Sequence, residues 1–201
     1  MRRIRTFIAV EMPQRVIARA LALVRLLQET TDDVSWVRQQ QMHLTLKFLG
    51  EVSETELPDV CRVVREAAAE IEPFEVTLRG AGAFPAVETP RTLWIGIREG
   101  AEELRALQGA IDTALHQELG FPHEKRGYRP HLTIGRLKRD TGGRGELAHV
   151  LRQHDEYDAD LAVVDEVVTY ASFLGRAGAA HDALDHAELG VRRPAVDAGE
   201  D

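Results

Sequence analysis

The feature that most constrains this chain is a tetrapeptide that occurs twice. His43-Leu44-Thr45-Leu46 and His131-Leu132-Thr133-Ile134 both read histidine, aliphatic, threonine, aliphatic. A strand points alternate side chains to opposite faces. Each segment therefore presents an imidazole and a hydroxyl together on one face and anchors itself through two aliphatic side chains on the other. The surroundings repeat as well. Phe7-Ile8-Ala9-Val10 lies 36 residues before His43, and Trp94-Ile95-Gly96-Ile97 lies 37 before His131. In each half, a helical pattern fills the interval. A repeat of this kind predicts two lobes of like architecture related by a pseudo-two-fold axis.

The remaining punctuation fits an α+β chain. Arg5 to Val10 reads as a strand, and Pro13 opens a helix whose apolar stripe is Val16, Ile17, Ala20, Leu21, Leu23, Val24 and Leu27. Trp36-Val37 is a short extended piece, and His43 to Leu49 a strand. Ser53 with Glu56 is a capping box for a second helix to about Ile71, its start one turn later if Pro58 sits in its first turn. Phe74 to Leu78 is a strand followed by a Gly-rich stretch through Gly80 and Gly82, and Thr92 to Ile97 is another. Ala101 to Leu119 is a helix ended by Gly120, and His131 to Leu137 is a strand. A short helix near Glu146 to Gln153, one or two strands over Leu161 to Phe173 and a weaker strand over Ala183 to Leu189 complete the pattern. The expected fold is α+β. Two lobes, each a small, mostly antiparallel sheet covered by helices, flank a central cleft.

Composition narrows the setting. At 201 residues the chain can bury a real core as one domain or one two-lobed unit. We expect a single bilobal domain over residues 1–190 and a disordered acidic tail over 191–201. The single cysteine, Cys61, excludes an intramolecular disulfide. It falls on the apolar side of the second helix, as an inert core thiol. No apolar run approaches the roughly 18 residues that span a membrane, and the apolar run after the basic N-terminus stops at Glu11. A cytoplasmic protein, with no membrane partner and monomeric, is expected. The formal charge of −8 excludes a uniformly basic nucleic-acid coat. From Glu124 to Arg144, however, seven cations face two acids, leaving that window net +5.

Two imidazoles, two hydroxyls and nearby cations suit cleavage of a phosphodiester without a metal. A neutral imidazole takes a proton from attacking water, and an imidazolium gives one to the leaving oxygen. The hydroxyls meet the oxygens where charge collects. His-x-Thr alone is a weak pattern. The aliphatic flanks and matching contexts make it specific. Parity puts Lys47 in phase with His43 and Arg129 in phase with His131. Phe48 and Arg136 are out of phase unless a bulge intervenes, which assigns Phe48 to core packing. Trp36, Phe48 and Tyr128 are candidates to stack a terminal base, with strand parity favouring core packing for Phe48. Zinc needs three or four convergent ligands, and none of the spacings fits. His116 reads as a solvated or capping residue, His149 and His154 are wrongly spaced, and His123, His181 and His186 stand in no motif. No P-loop, dinucleotide fingerprint or Gly-x-Ser-x-Gly elbow occurs.

Trp36-Val37-Arg38, His43 to Gly50 and Arg129-Pro130-His131-Leu132-Thr133-Ile134 together resemble the two-histidine (2H) phosphoesterase superfamily. Within it they are similar to the bacterial and archaeal RNA 2′,3′-cyclic phosphodiesterases, also called 2′-5′ RNA ligases. The likeness runs from about Arg5 to Leu189. It implies hydrolysis of a terminal 2′,3′-cyclic phosphate to a 2′-phosphate, with reversible 2′-5′ ligation as a side activity and no cofactor. By that resemblance His43 is the proton donor, His131 the proton acceptor, and Thr45 and Thr133 hold the phosphate. Arg129, Lys47 and Tyr128 are candidate substrate contacts. The partners are RNA ends, tRNA halves among them. The last strand departs from the family pattern, being more polar around His181. Two alternatives stay open: a cyclic phosphodiesterase for a small nucleotide or an ADP-ribose cyclic phosphate, and a non-catalytic module that binds RNA ends.

Overall fold

A computed structural model describes residues 2–124, 127–138, 144–175 and 178–190. The expected tail, and the Gly142-Gly143 break, lie outside the described residues. The chain builds β1 (Arg3–Glu11), α1 (Gln14–Gln28), β2 (Val34–Trp36), β3 (His43–Ser53), α2 (Leu57–Ala69), β4 (Phe74–Phe84) and β5 (Thr92–Ile97). It continues with α3 (Ala101–Leu119), β6 (His131–Leu137), α4 (Arg144–Gln153), β7 (Asp158–Val164), β8 (Glu166–Gly175) and β9 (Gly178–Glu188). The strands form two sheets, in the orders β3-β1-β8-β9 and β2-β6-β5-β4-β7, with antiparallel pairing throughout.

The two sheets map onto one another. β3, β1, β8 and β9 of the first correspond to β6, β5, β4 and β7 of the second, and β2 is an addition along the Gly135–Leu137 half of β6. The crossover helices are exchanged. α1 leaves β1 and returns to β3, yet it packs on β7 and β6 of the second sheet. Arg15 Nε donates to the Leu161 carbonyl at 3.0 Å, and the Tyr157 hydroxyl to the Arg19 carbonyl at 2.8 Å. α3 leaves β5 and returns to β6, yet it packs on α2 and on β3 of the first sheet. The exchange ties the lobes into one core, which runs from Ile8 and Leu44 through Leu23 and Leu27 to Ile95, Leu107 and Ile111. Each such side chain contributes about 1.5–3 kcal/mol on full burial.

Most helix ends follow the local signals. Pro13 is the N-cap of α1, and Gly120 ends α3 in the left-handed region at φ 71°. The Ser53–Glu56 box closes as a turn before α2 rather than as its cap. The Ser53 amide donates to Glu56 Oε2 at 3.1 Å, and the helix begins at Leu57 with Pro58 in its first turn. Cys61 is buried. The largest departure is β4. The Gly-rich stretch expected to interrupt it is strand through to Phe84. Gly80 adopts φ 85° at a register shift, and at Gly82 the Trp94 ring occupies the space a Cβ would need. β9 begins at Gly178, five residues earlier than expected. Among the described residues, no helix is long and apolar enough to cross a membrane.

Candidate active site

Both tetrapeptides end in the same irregularity. Along β1 and β3, Ala9 faces Thr45 and Ile8 faces Lys47, so Leu46 is an extra residue. Along β5 and β6, Trp94 faces Thr133 and Leu93 faces Gly135, so Ile134 is extra. A bulge of this kind reverses the alternation beyond it. Leu44 and Leu46 are buried as the pattern requires, but Lys47 is buried too, and Phe48 turns outward with 61% of its surface exposed. In the second lobe Leu132, Ile134 and Gly135 are buried and Arg136 is exposed. The fifth residue after each histidine thus joins the histidine and threonine on the open face.

The two bulged strands approach one another between the sheets. A cleft of about 690 Å³ opens there, with Thr45 and Phe48 on one side and His131, Thr133 and Arg136 on the other. Phe84, Tyr128, Arg91 and Arg129 complete its rim. His43 sits beside Thr45, deeper in the first sheet. Its ring stacks on Phe7, with centroids 5.0 Å apart, and the Tyr170 ring lies 5.1 Å from Phe7 and 6.1 Å from His43. Burial, reinforced by the nearby His181, lowers the His43 pKa to about 4. A bare His43 is therefore neutral at neutral pH and, when charged, a strong acid.

His131 is held differently. Its Nδ1 lies 2.6 Å from the Arg129 carbonyl, and a carbonyl can only accept. Nδ1 therefore carries the proton, and Nε2 keeps its lone pair in the neutral ring. The Phe84 ring meets His131 edge-on at 5.0 Å, and the Arg129 guanidinium lies 4.8 Å from the Phe84 centroid. Burial lowers the His131 pKa, the Arg129 carbonyl partly offsets this, and the Arg136 and Arg129 charges add to the lowering.

Two expectations about individual residues change. Lys47 borders the cleft, but the bulge at Leu46 turns its side chain inward, away from the face that carries His43. Its ammonium is buried against the Asp112 carboxylate of α3 and donates to the Pro122 carbonyl at 2.8 Å. It links β3 to α3 and to the loop before β6. Phe48, expected in the core, lines the cleft for the same reason. Tyr128 does line the cleft, but its hydroxyl is buried and burial raises its pKa, so it offers a ring face. Trp36 packs against the core and over Gly135. Arg91, Phe84, Arg136 and His181 were not singled out as contacts. The bulge at the end of each tetrapeptide is what brings Arg136 and Phe48 to the cleft. Among the described residues, no group of three or more His, Cys, Asp or Glu side chains could hold a metal ion.

The comparisons with known proteins agree with one another. The model of the 2′-5′ RNA ligase superfamily matches residues 13–171. The RNA 2′,3′-cyclic phosphodiesterase of Methanothermobacter thermautotrophicus is 34% identical over 176 residues, covering 88% of this chain and 94% of that protein. The protein of the same name from Aquifex aeolicus is 30% identical over 155 residues, covering 77% and 81%. Among solved structures, TT0787 of Thermus thermophilus superposes with a TM-score of 0.77 at 27% identity, covering 94% of this chain and all of that one. E. coli LigT in complex with 3′-AMP has the same fold, with a TM-score of 0.74 at 21% identity and coverages of 94% and 99%.

Proposed function

This chain belongs to the 2′-5′ RNA ligase superfamily, and from that premise we propose that it hydrolyses RNA ends carrying a 2′,3′-cyclic phosphate, leaving a 2′-phosphate. Residues 1–190 act as one bilobal unit, with His43, Thr45, His131 and Thr133 as the working groups. Water attacks phosphorus as His131 Nε2 accepts its proton. The bond from phosphorus to O3′ breaks, and His43 supplies the proton that O3′ takes up. Thr45 and Thr133 donate to the non-bridging oxygens as charge builds there. The imidazoles supply acid and base and the hydroxyls and guanidiniums meet the anion, so the scheme calls on no metal. If an RNA 5′-hydroxyl takes the place of water, the same steps make a 2′-5′ linkage.

The observation that carries this reading is the tautomer at His131. A backbone carbonyl on Nδ1 leaves Nε2 as the acceptor, in a cleft that also holds Thr45 and Thr133. The rim supports RNA as the substrate class. Arg91, Arg129 and Arg136 can neutralise RNA phosphates on an otherwise acidic protein, and Phe48 and Tyr128 offer ring faces to an unpaired base. The test is incubation with an oligonucleotide ending in a 2′,3′-cyclic phosphate, followed by mapping of the product. The expected product is a 2′-phosphate, formed in the presence of EDTA. A 3′-phosphate product would overturn the assignment of the leaving oxygen. Binding without turnover would favour an RNA-end-binding module. Turnover of a small cyclic nucleotide or an ADP-ribose cyclic phosphate, but not of RNA, would reassign the substrate.

A further inference from the structure

His43 has a second imidazole beside it. His181 comes from β9, at the far edge of the first sheet, and two strands lie between it and β3. Its ring nevertheless reaches across Phe7, meeting that ring edge-on at 4.9 Å, and stands 5.8 Å from the His43 ring in a T-shaped arrangement. The Tyr170 ring lies 6.2 Å from His181 and 6.1 Å from His43. The four rings form one packed group on the sheet face that carries the tetrapeptide, and Phe7, Tyr170 and His43 cannot shift independently of His181. β9 is also tied to the segment that leads into β3. Gln41, two residues before His43, donates through Nε2 to the Ala179 carbonyl, two residues before His181. Among the described residues, the second lobe shows no second imidazole packed against His131. The ring against His131 there is Phe84, which cannot take a proton.

We propose that His181 is a positioning residue for the proton donor, its ring confining His43 against Phe7 and its charge state governing whether His43 can hold a proton. This rests on the reading of His43 as the donor.

The groups that face the pair set the order in which it charges. They are Glu11 on β1, opposite His43 in register, and Tyr170 on β8, whose hydroxyl donates to Glu11. On β9, Asp182 adjoins His181, and across the cleft stand Arg129, His131 and Arg136. Glu11 is engaged by Tyr170. Burial lowers the His181 pKa, and the Ala180 carbonyl and the Asp182 charge partly offset it. His181 is also the less deeply buried of the two imidazoles. A first proton therefore settles on His181, and its charge keeps His43 neutral. Two imidazoles this close titrate as a pair. A bound phosphate anion favours the second proton, so His43 is charged when substrate is present and not otherwise.

The experiment compares the wild type with His181→Ala and His181→Phe. The NMR titration of His43, assigned by its loss in His43→Gln, is followed without substrate, and kcat and KM are measured on a cyclic-phosphate oligonucleotide. Both variants remove the neighbouring charge, so the His43 titration should move up toward 6.5 in each. His181→Ala also frees the ring, and kcat should fall by roughly tenfold, a modest part of what misplacing a reacting group can cost. KM should change little. His181→Phe keeps a ring on Phe7 and should recover most of kcat. An unchanged His43 titration in both variants would overturn the proposal, as would a His181→Phe enzyme as slow as His181→Ala. A wild type that shows the shifted titration but no turnover would leave the imidazole pair standing and remove the proposed activity instead.

Discussion

The two lobes share a backbone and differ in what packs on it. In each, an antiparallel strand pair presents histidine and threonine on one face and bulges at the next aliphatic residue. That common geometry brings Thr45, His131 and Thr133 to one cleft, with His43 behind Thr45 in the first sheet. The packing then makes the two histidines unlike. His131 is fixed through Nδ1 by a backbone carbonyl, edge-on to Phe84 and flanked by guanidiniums. His43 stacks on Phe7, with Tyr170 and a second imidazole around it. A symmetric scaffold supplies convergence, and in the proposed mechanism the asymmetric neighbours are what make one imidazole a base and the other an acid.

The sharpest way to break this comparison is to remove either ring. His43→Ala and His131→Ala should each lower the rate by roughly 10²–10⁴, with unaltered circular dichroism because neither side chain belongs to the main core. The double variant should be little worse than the slower single, since the two act as a unit. Near-normal turnover in either single variant would end the assignment. The threonines come next. Thr45→Val and Thr133→Val keep shape and lose a donor, and kcat should fall by up to roughly 10²–10³ for each. A loss of stability with unchanged kinetics would make them strand residues only.

Lys47 tests where the symmetry stops, because its counterpart is Gly135. A substrate contact at Lys47 would show in KM. Buried against Asp112, it should show in stability. Lys47→Met leaves the carboxylate with His123 at 2.6 Å and the Glu124 amide at 3.3 Å as its remaining partners. Breaking a buried pair from one side costs about 3–5 kcal/mol. The unfolding midpoint should therefore drop by roughly 6–20 °C for a chain of this size, with KM nearly unchanged.

The pH profile gives the smallest effect. In the proposed mechanism the reactive form has His43 charged and His131 neutral. In the free protein both pKa values lie below the ordinary 6.5, His43 at about 4. kcat/KM should thus be a bell whose limbs both fall on the acid side of 6.5. Activity is lost below as the base is protonated and above as the acid is deprotonated. A bound anion raises both values, so the bell for kcat should lie at higher pH. Coincident bells centred above pH 7 would contradict the depressed values.

Much of the fold was legible in local pattern. The bounds of β5, α3 and β6 follow directly from the alternation of Thr92 to Ile97, the stripe through Leu104, Leu107, Ile111 and Leu115, and the tetrapeptide at His131. Other features depend on partners that no single segment encodes. An apolar stripe says that a helix face is buried but not against which sheet, so the exchange of α1 and α3 was not readable. A bulge is a relation between two strands, and parity counted along β3 alone sent Lys47 to the cleft and Phe48 to the core. The glycines of β4 looked like a break because what they make room for, the Trp94 ring at Gly82 and the Asp155 carbonyl at Gly80, comes from other segments. His181 stands in no local motif. Its meaning comes only from β9 lying in the same sheet as β3.

The central claim is that His43 donates the proton taken up by O3′ while His131 activates water. It is tested most directly by a substrate in which the 3′-bridging oxygen of the cyclic phosphate is replaced by sulfur. A thiolate leaves without being protonated, so a general acid becomes dispensable while the base does not. On the sulfur substrate His43→Ala should recover most of the wild-type rate, and His131→Ala should remain as impaired as on the natural ester. Recovery of His131→Ala, or equal impairment of both variants on the two substrates, would contradict the division of labour between the lobes.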